Sequence, residues 1–186
     1  RAKNILTARK NVKFFDEEKN TTINSENINY IKNEEIIYST GVSSAKIENK
    51  YNFQSKDVKY DKNNQELSSK EKSTIIDDNE NEYSVIGFLY HLEKKLLKAK
   101  NINLISKIDK NKTDNYFFSE GFFNLDKKIF VSKDTKIKVH KGVFGNEEQD
   151  PRLYGSSSSG NNNFTQINKG IFTSCKENNN CPPWSI

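Results

Sequence analysis

The feature that most constrains this chain is a period-two alternation of apolar residues. It appears at Ile28/Tyr30, Ile36/Tyr38, Tyr51/Phe53, Val58/Tyr60, Tyr83/Val85, Ile102/Leu104, Ile129/Val131 and Ile137/Val139. Successive side chains of a strand point to opposite faces, so each pair marks a strand with one buried side. Between the pairs lie polar clusters: Lys32-Asn33-Glu34, 61–64, 77–81, 110–115 and Asp126-Lys127-Lys128. Asn and Asp tolerate left-handed backbone and bond their own main chain, so such clusters end strands. The expected fold class is all-β, made of stacked antiparallel strands.

A weak internal repeat is consistent with this. Segments starting at Ala2, Ser25, Ser55 and Ala99 share a small residue, a charge, Asn or Asp, and then a β-branched residue. The starts are unevenly spaced, which suits stacked hairpins better than a strict solenoid. The segment 90–100 has Leu92, Leu96 and Leu97 at helical spacing. The rough spacing of the turns near 33 and 63 instead predicts a hairpin turn at Glu93-Lys94-Lys95. From Asn146 to Asn163 the alternation stops, and Asp150-Pro151 with Ser156-Ser-Ser-Ser-Gly-Asn-Asn-Asn163 reads as a polar loop. Thr165 to Ser174 then reads as one more strand. The expected organisation is a β domain over 1–145 and an irregular linker over 146–186.

Composition points the same way. Hydrophobic residues make up 33% of the chain and charged residues 30%, so the core is thin, as in an elongated stack of strands. The net charge of +5 is spread among interleaved lysines and acids, which describes a solvated surface rather than a stripe for nucleic acid. No apolar run approaches the ~20 residues of a membrane-spanning helix. The start at Arg1 and the stop at Ile186 read as an excerpt of a longer mature protein.

No enzyme signature is visible, and no cofactor motif either. There is no Gly-rich phosphate loop, no His-Glu-x-x-His and no Gly-x-Ser-x-Gly. Glu34-Glu35 and Asp77-Asp78 are adjacent carboxylates on turns, and no catalytic residue is expected there. Cys175 and Cys181 lack companion ligands, because His91 and His140 lie far upstream, so no metal site is expected. In an oxidising compartment the two cysteines would be bridged.

The final stretch holds both cysteines, Pro182, Pro183 and the single tryptophan, Trp184. Its Thr173-Ser174-Cys175, then Pro182-Pro183-Trp184 and Ile186, resembles the linker of the LptD/OstA lipopolysaccharide-assembly (organic solvent tolerance) family. Asp150 to Gly155 and Asn168-Lys169-Gly170 are similar as well. The resemblance implies a V-shaped, OstA-like β-jellyroll in the periplasm of a Gram-negative bacterium, joined to an outer-membrane β-barrel. It implies a conduit with no chemistry of its own, which receives lipopolysaccharide in an apolar groove. The implied partners are a bridge protein of the LptA type, paired along an edge strand, and a barrel plug lipoprotein of the LptE type.

On this reading the groove is lined by Ile28, Tyr30, Ile36, Phe53, Val58, Tyr60, Val85, Ile102, Leu104, Ile129 and Val131. The same alternation would equally serve a closed core. The partner edge is the first strand, Ala2 to Phe15, which carries Ile5, Val12 and Phe14. The family's N-terminal cysteines bridge to the barrel, which implies a partner for Cys175 beyond Ile186, while a short Cys175–Cys181 loop stays open as the alternative. From a different class, a structural β-repeat of a surface or adhesin protein fits the same pattern.

Overall fold

The computed structural model describes residues 4–109, 111–176 and, as backbone alone, 184–185. It is all-β. The strands are β1 (Ile5–Asp16), β2 (Thr21–Ile31), β3 (Ile36–Ile47), β4 (Tyr51–Lys56), β5 (Lys59–Asp61), β6 (Glu66–Ile76) and β7 (Glu82–His91). They continue with β8 (Leu96–Lys107), β9 (Thr113–Asn124), β10 (Ile129–Lys138), β11 (Arg152–Gly160), β12 (Thr165–Asn168), β13 (Ile171–Thr173) and β14 (Trp184–Ser185). All belong to one antiparallel sheet, which runs nearly in chain order from β1 at one edge. The 90–100 segment forms the expected hairpin, with its turn at 92–95.

The strands are bent in the middle, so the sheet folds over on itself like a jelly roll. Phe118 and Phe123 both lie on β9, with ring centroids 5.8 Å apart. Five residues of straight strand would span roughly 17 Å and put the two rings on opposite faces. Likewise Tyr83 of β7 meets Phe123 at 5.6 Å, and Phe14 of β1 meets Tyr60 of β5 at 6.3 Å, across strands that are not neighbours. The bends have a local cause. Register shifts fall between Arg9 and Val12, Ser25 and Asn27, and Ser69 and Lys72. Left-handed backbone occurs mid-strand at Lys10, Asn11, Gly41, Gly87, Asn101 and Asp134, and between β4 and β5 at Asp57. Bulges kink a strand and re-aim its side chains, so both halves present apolar residues inward.

The enclosed core holds Ile23, Ile37, Tyr51, Phe53, Tyr60, Leu67, Ile75, Tyr90 and Leu97, each at most 1% exposed. Burying one such side chain contributes about 1.5–3 kcal/mol. These residues expose a repeat more regular than the uneven strand starts suggest. Tyr30, Tyr60 and Tyr90 are equivalent, as are Ile37, Leu67 and Leu97, and Ile28, Val58 and Phe88. The turns at 32–35, 62–65 and 92–95 keep the same step and stack on one another: Lys62 N donates to Glu35 O at 3.0 Å, and Leu92 N to Gln65 O at 2.8 Å.

Along the bends the core is lined by buried hydroxyls. Ser43 Oγ lies 3.1 Å from Ser25 Oγ and 2.8 Å from Ser39 Oγ, and Ser39 Oγ accepts from Val58 N at 2.8 Å. Ser55 Oγ lies 2.9 Å from Ser69 Oγ and 2.7 Å from Ser73 Oγ. Ser69 also donates to Lys56 O at 2.7 Å and accepts from Glu71 N at 3.1 Å. Bulges leave main-chain groups without ladder partners, and these serines satisfy them.

Two expectations are corrected by the C-terminal part. Ser156 to Gly160 is no loop; it is half of β11, paired to β10 on one side and β12 on the other. A Ser-rich strand is viable here because Ser158 Oγ sits 2.7 Å from both Ser132 Oγ and Thr135 Oγ1, a third buried hydroxyl cluster. The sheet thus runs on past residue 145. The single strand expected over 165–174 is split at Lys169, whose φ is +50°, into β12 and β13. Gly155 of β11 marks the split, because a Cβ there would lie 2.2 Å from Ile167 Cγ2.

Candidate binding face

Most residues expected to line a groove do point inward, into a packed interior. Ile28, Phe53, Val58, Tyr60, Val85 and Ile102 are buried, and Tyr30 and Leu104 pack against them from more open positions. Over this middle section the interior is filled by interlocking rings: Phe53 lies 5.0 Å from Tyr90 and 5.3 Å from Phe88.

Three positions are corrected. Ile129 and Val131 are 48% and 50% exposed and face outward. Phe130 and Ser132 take the inner face of β10, because Phe130 stands opposite Phe123 in the register. In β3 the phase also differs: Ile37 is fully buried, Ile36 only half-buried, and Tyr38 points out. A doublet or triplet of apolar residues cannot reveal which member faces in; pairing with the neighbour decides it. Tyr51, Tyr90, Phe88, Phe118 and Phe123 were not among the expected lining residues, although the Tyr30/Tyr60/Tyr90 spacing was the signal for Tyr90.

Opposite the bends, the two rows of turns meet and are laced by lysines. Lys62 Nζ lies 3.9 Å from Asp16 Oδ2, Lys95 pairs with Glu48, and Lys128 pairs with Asp78 and lies 3.3 Å from Asp77 Oδ2. Each rung joins one row to the other across 46 to 51 residues of chain. Tyrosines brace the acids from inside: Tyr60 Oη donates to Asp16 at 2.9 Å and Tyr83 Oη to Asp77 at 3.3 Å. Asp77 also accepts from Asn79 N and Asn81 N, so the Asp77-Asp78 pair is fully engaged in holding its turn. Burial pushes Tyr60, Tyr83 and Tyr90 far above the usual phenol range. It also raises Tyr51 and Tyr116 to about 12. Tyr30 reaches about 12 chiefly through its hydrogen bond to Glu35, whose own value that bond lowers.

Two places in the fold are less complete. Inside it, beside β8–β10, a cavity of about 370 Å³ lies among Tyr83, Leu104, Tyr116, Phe123 and Phe130, with Asn161 and Thr165 at its rim. At one edge of the sheet, β1 pairs with β2 alone among the described residues. Val12 and Phe14 pack against the core, whereas Ile5, Leu6 and Phe15 are 49%, 56% and 54% exposed.

Cys175 is disulfide-bonded, and Cys181 lies outside the described residues, as do Pro182 and Pro183. The backbone at Trp184 and Ser185 pairs with Phe172 and Ile171 of β13, so the chain returns to the sheet there. Among the described residues no cluster of His, Cys, Asp and Glu could hold a metal. No family model matches the chain, and no curated protein matches it either.

Proposed function

We propose that this chain is a periplasmic conduit domain of the LptD/OstA kind, which takes up lipopolysaccharide and passes it toward an outer-membrane barrel. The observation that supports this most is an open sheet edge together with an interior cavity on one aromatic-lined fold. β1 is an edge with free main-chain groups and exposed Ile5, Leu6 and Phe15. Such an edge is a template for a strand of another chain, here a bridge protein of the LptA type. The cavity beside Leu104, Tyr116 and Phe130 is the exit, toward the barrel and its LptE-type plug. An acyl chain in that interior gains about 0.8 kcal/mol for each methylene shielded from water. Because the middle section is packed, passage needs the two halves to part along the lysine rungs.

The experiment is site-specific photo-crosslinking to a lipid A-type glycolipid. Probes replace Leu104, Tyr116 and Phe130, with outward Val131 and Phe122 as controls. Adducts confined to the first set support the conduit. A second reading, a structural β-repeat of a surface protein, is favoured by the 30-residue repeat of Tyr30, Tyr60 and Tyr90, of which Tyr60 and Tyr90 are fully buried. Absence of adducts at every inward position, with the fold intact, would establish that reading instead.

A further inference from the structure

We propose that a hollow on the outer face of the sheet, where β1, β2 and β3 kink side by side, binds an uncharged sugar chain. The kinks fall between Arg9 and Val12, between Ser25 and Asn27, and at Gly41, whose φ is +86°. Around them lies a hollow of about 570 Å³, whose accessible wall is Asn11, Asn24, Glu26, Val42, Ser44 and Gln54. Ser25 and Ser43 lie beneath, and their hydroxyls already bond within the buried cluster described above. Among the described residues no lysine or arginine lines the hollow.

This wall differs in chemistry from the surface around it. Charged residues make up 30% of the chain, yet here there are three amides, a hydroxyl, one carboxylate and a valine that is 69% exposed. Amides and hydroxyls each donate and accept, which is the mixture that adjacent hydroxyls of a sugar ring require. Glu26 can accept from two such hydroxyls, and Val42 offers an apolar contact to the C–H side of a ring. The side chains of Asn11, Glu26 and Gln54 bond to no other described residue, and Asn24 reaches Ser44 only at 3.5 Å. An anion would meet Glu26 and no cation, so the field of the hollow selects against acidic ligands and nucleic acid.

The register carries the same chemistry along the sheet. Asn24, Ser44, Gln54, Thr74 and Ser84 stand opposite one another on β2, β3, β4, β6 and β7, with no charge among them. Thr74 and Ser84 likewise bond through their side chains to no described residue. Neighbouring strands are about 4.8 Å apart, so the row runs roughly 19 Å. One strand spacing is close to the length of one pyranose ring in an extended chain, which gives each ring its own polar side chain. The ligand class is therefore a neutral, extended glycan, either a free oligosaccharide or a stretch of a longer polysaccharide. The hollow is outside the fold, so it stands whether or not the interior carries acyl chains.

The test uses the full chain and titration calorimetry with cellohexaose, maltohexaose and chitohexaose, and hexagalacturonate as the charged control. Saturable heat is expected with at least one neutral hexamer and none with hexagalacturonate. Retention on insoluble cellulose, amylose or chitin, released by the matching hexamer, assigns a polysaccharide; binding of the hexamer alone assigns a free oligosaccharide. Asn24→Ala and Gln54→Ala, both at exposed side chains, are each expected to weaken binding about tenfold with Tm unchanged. Glu26→Lys is expected to admit hexagalacturonate, a change that a merely structural role for Glu26 would not produce. No saturable response to any neutral hexamer, or an undiminished response in both alanine variants, overturns the proposal and leaves the conduit reading as it was.

Discussion

Tyr60 shows how a single side chain serves both the core and the rungs. Its ring is fully buried beside Phe14, and its hydroxyl donates to the buried Asp16, which Lys62 approaches from outside. Tyr60→Phe keeps the ring and takes from the buried Asp16 its hydroxyl donor, leaving Lys19 N and the more distant Lys62, so urea unfolding is expected to show a loss of about 1–2 kcal/mol. The buried phenols also set an alkaline limit. Their pKa values are raised in the fold, to about 12 for Tyr51 and Tyr116. In the unfolded chain they ionise near ~10, so the unfolded state loses protons first. Stability is therefore complete below that pH and falls as pH rises toward the folded values. Absorbance of phenolate is expected to grow in one cooperative step together with loss of far-UV dichroism; smooth titration with an intact fold would contradict it. At this scale the sequence was partly legible. Phe53 and Tyr60 have polar neighbours on both sides, so their inward phase could be read. Ile129 and Val131 flank Phe130, and only the register against Phe123 shows that Phe130 is the inward member.

Most of the long elements are hairpin arms with a kink, and both features have physical causes. The four-residue turns place their last residue in the left-handed region: Glu35 at φ 53°, Gln65 at 54°, Lys95 at 53°. A non-glycine residue pays about 1–2 kcal/mol there. Gln65→Gly relieves that strain at some cost in unfolded-state entropy, and a net gain of about 0.5–1 kcal/mol is expected in denaturant midpoint. The reverse case is Gly87, at φ 75° in the middle of β7. Gly87→Ala meets no atom closer than 3.7 Å, so its expected loss of about 1 kcal/mol would measure backbone strain alone. The turns were legible because Asn, Asp and Lys cluster at them. The kinks were not, since left-handed backbone at Asp57 or Asp134 looks like another surface acid. The Ser-rich β11 was read as a loop for a related reason: its inward contact is hydroxyl to hydroxyl, and hydrophobic alternation carries no trace of that.

At the scale of the whole molecule, the all-β class followed directly from the alternation, but the regularity of the stack did not. The repeat is written in core positions such as Ile37, Leu67 and Leu97, whose intervening residues vary freely, rather than at the strand heads. Stacked repeats depend on their neighbours, so one whole unit is removable in register. Deleting residues 32–61, which joins Ile31 to Lys62, is expected to leave a cooperatively unfolding sheet. Deleting only 32–46 breaks the step and is expected to abolish the transition, as followed by circular dichroism. The bulge in β1 carries a further consequence for the exposed edge. Lys10 and Asn11 divide it into two short arms that meet at an angle. A long flat strand, such as one from a misfolded chain seeding a fibril, can satisfy only one arm at a time. A strand that carries the same kink can satisfy both, so the edge admits its own kind of fold and turns away amyloid-like growth.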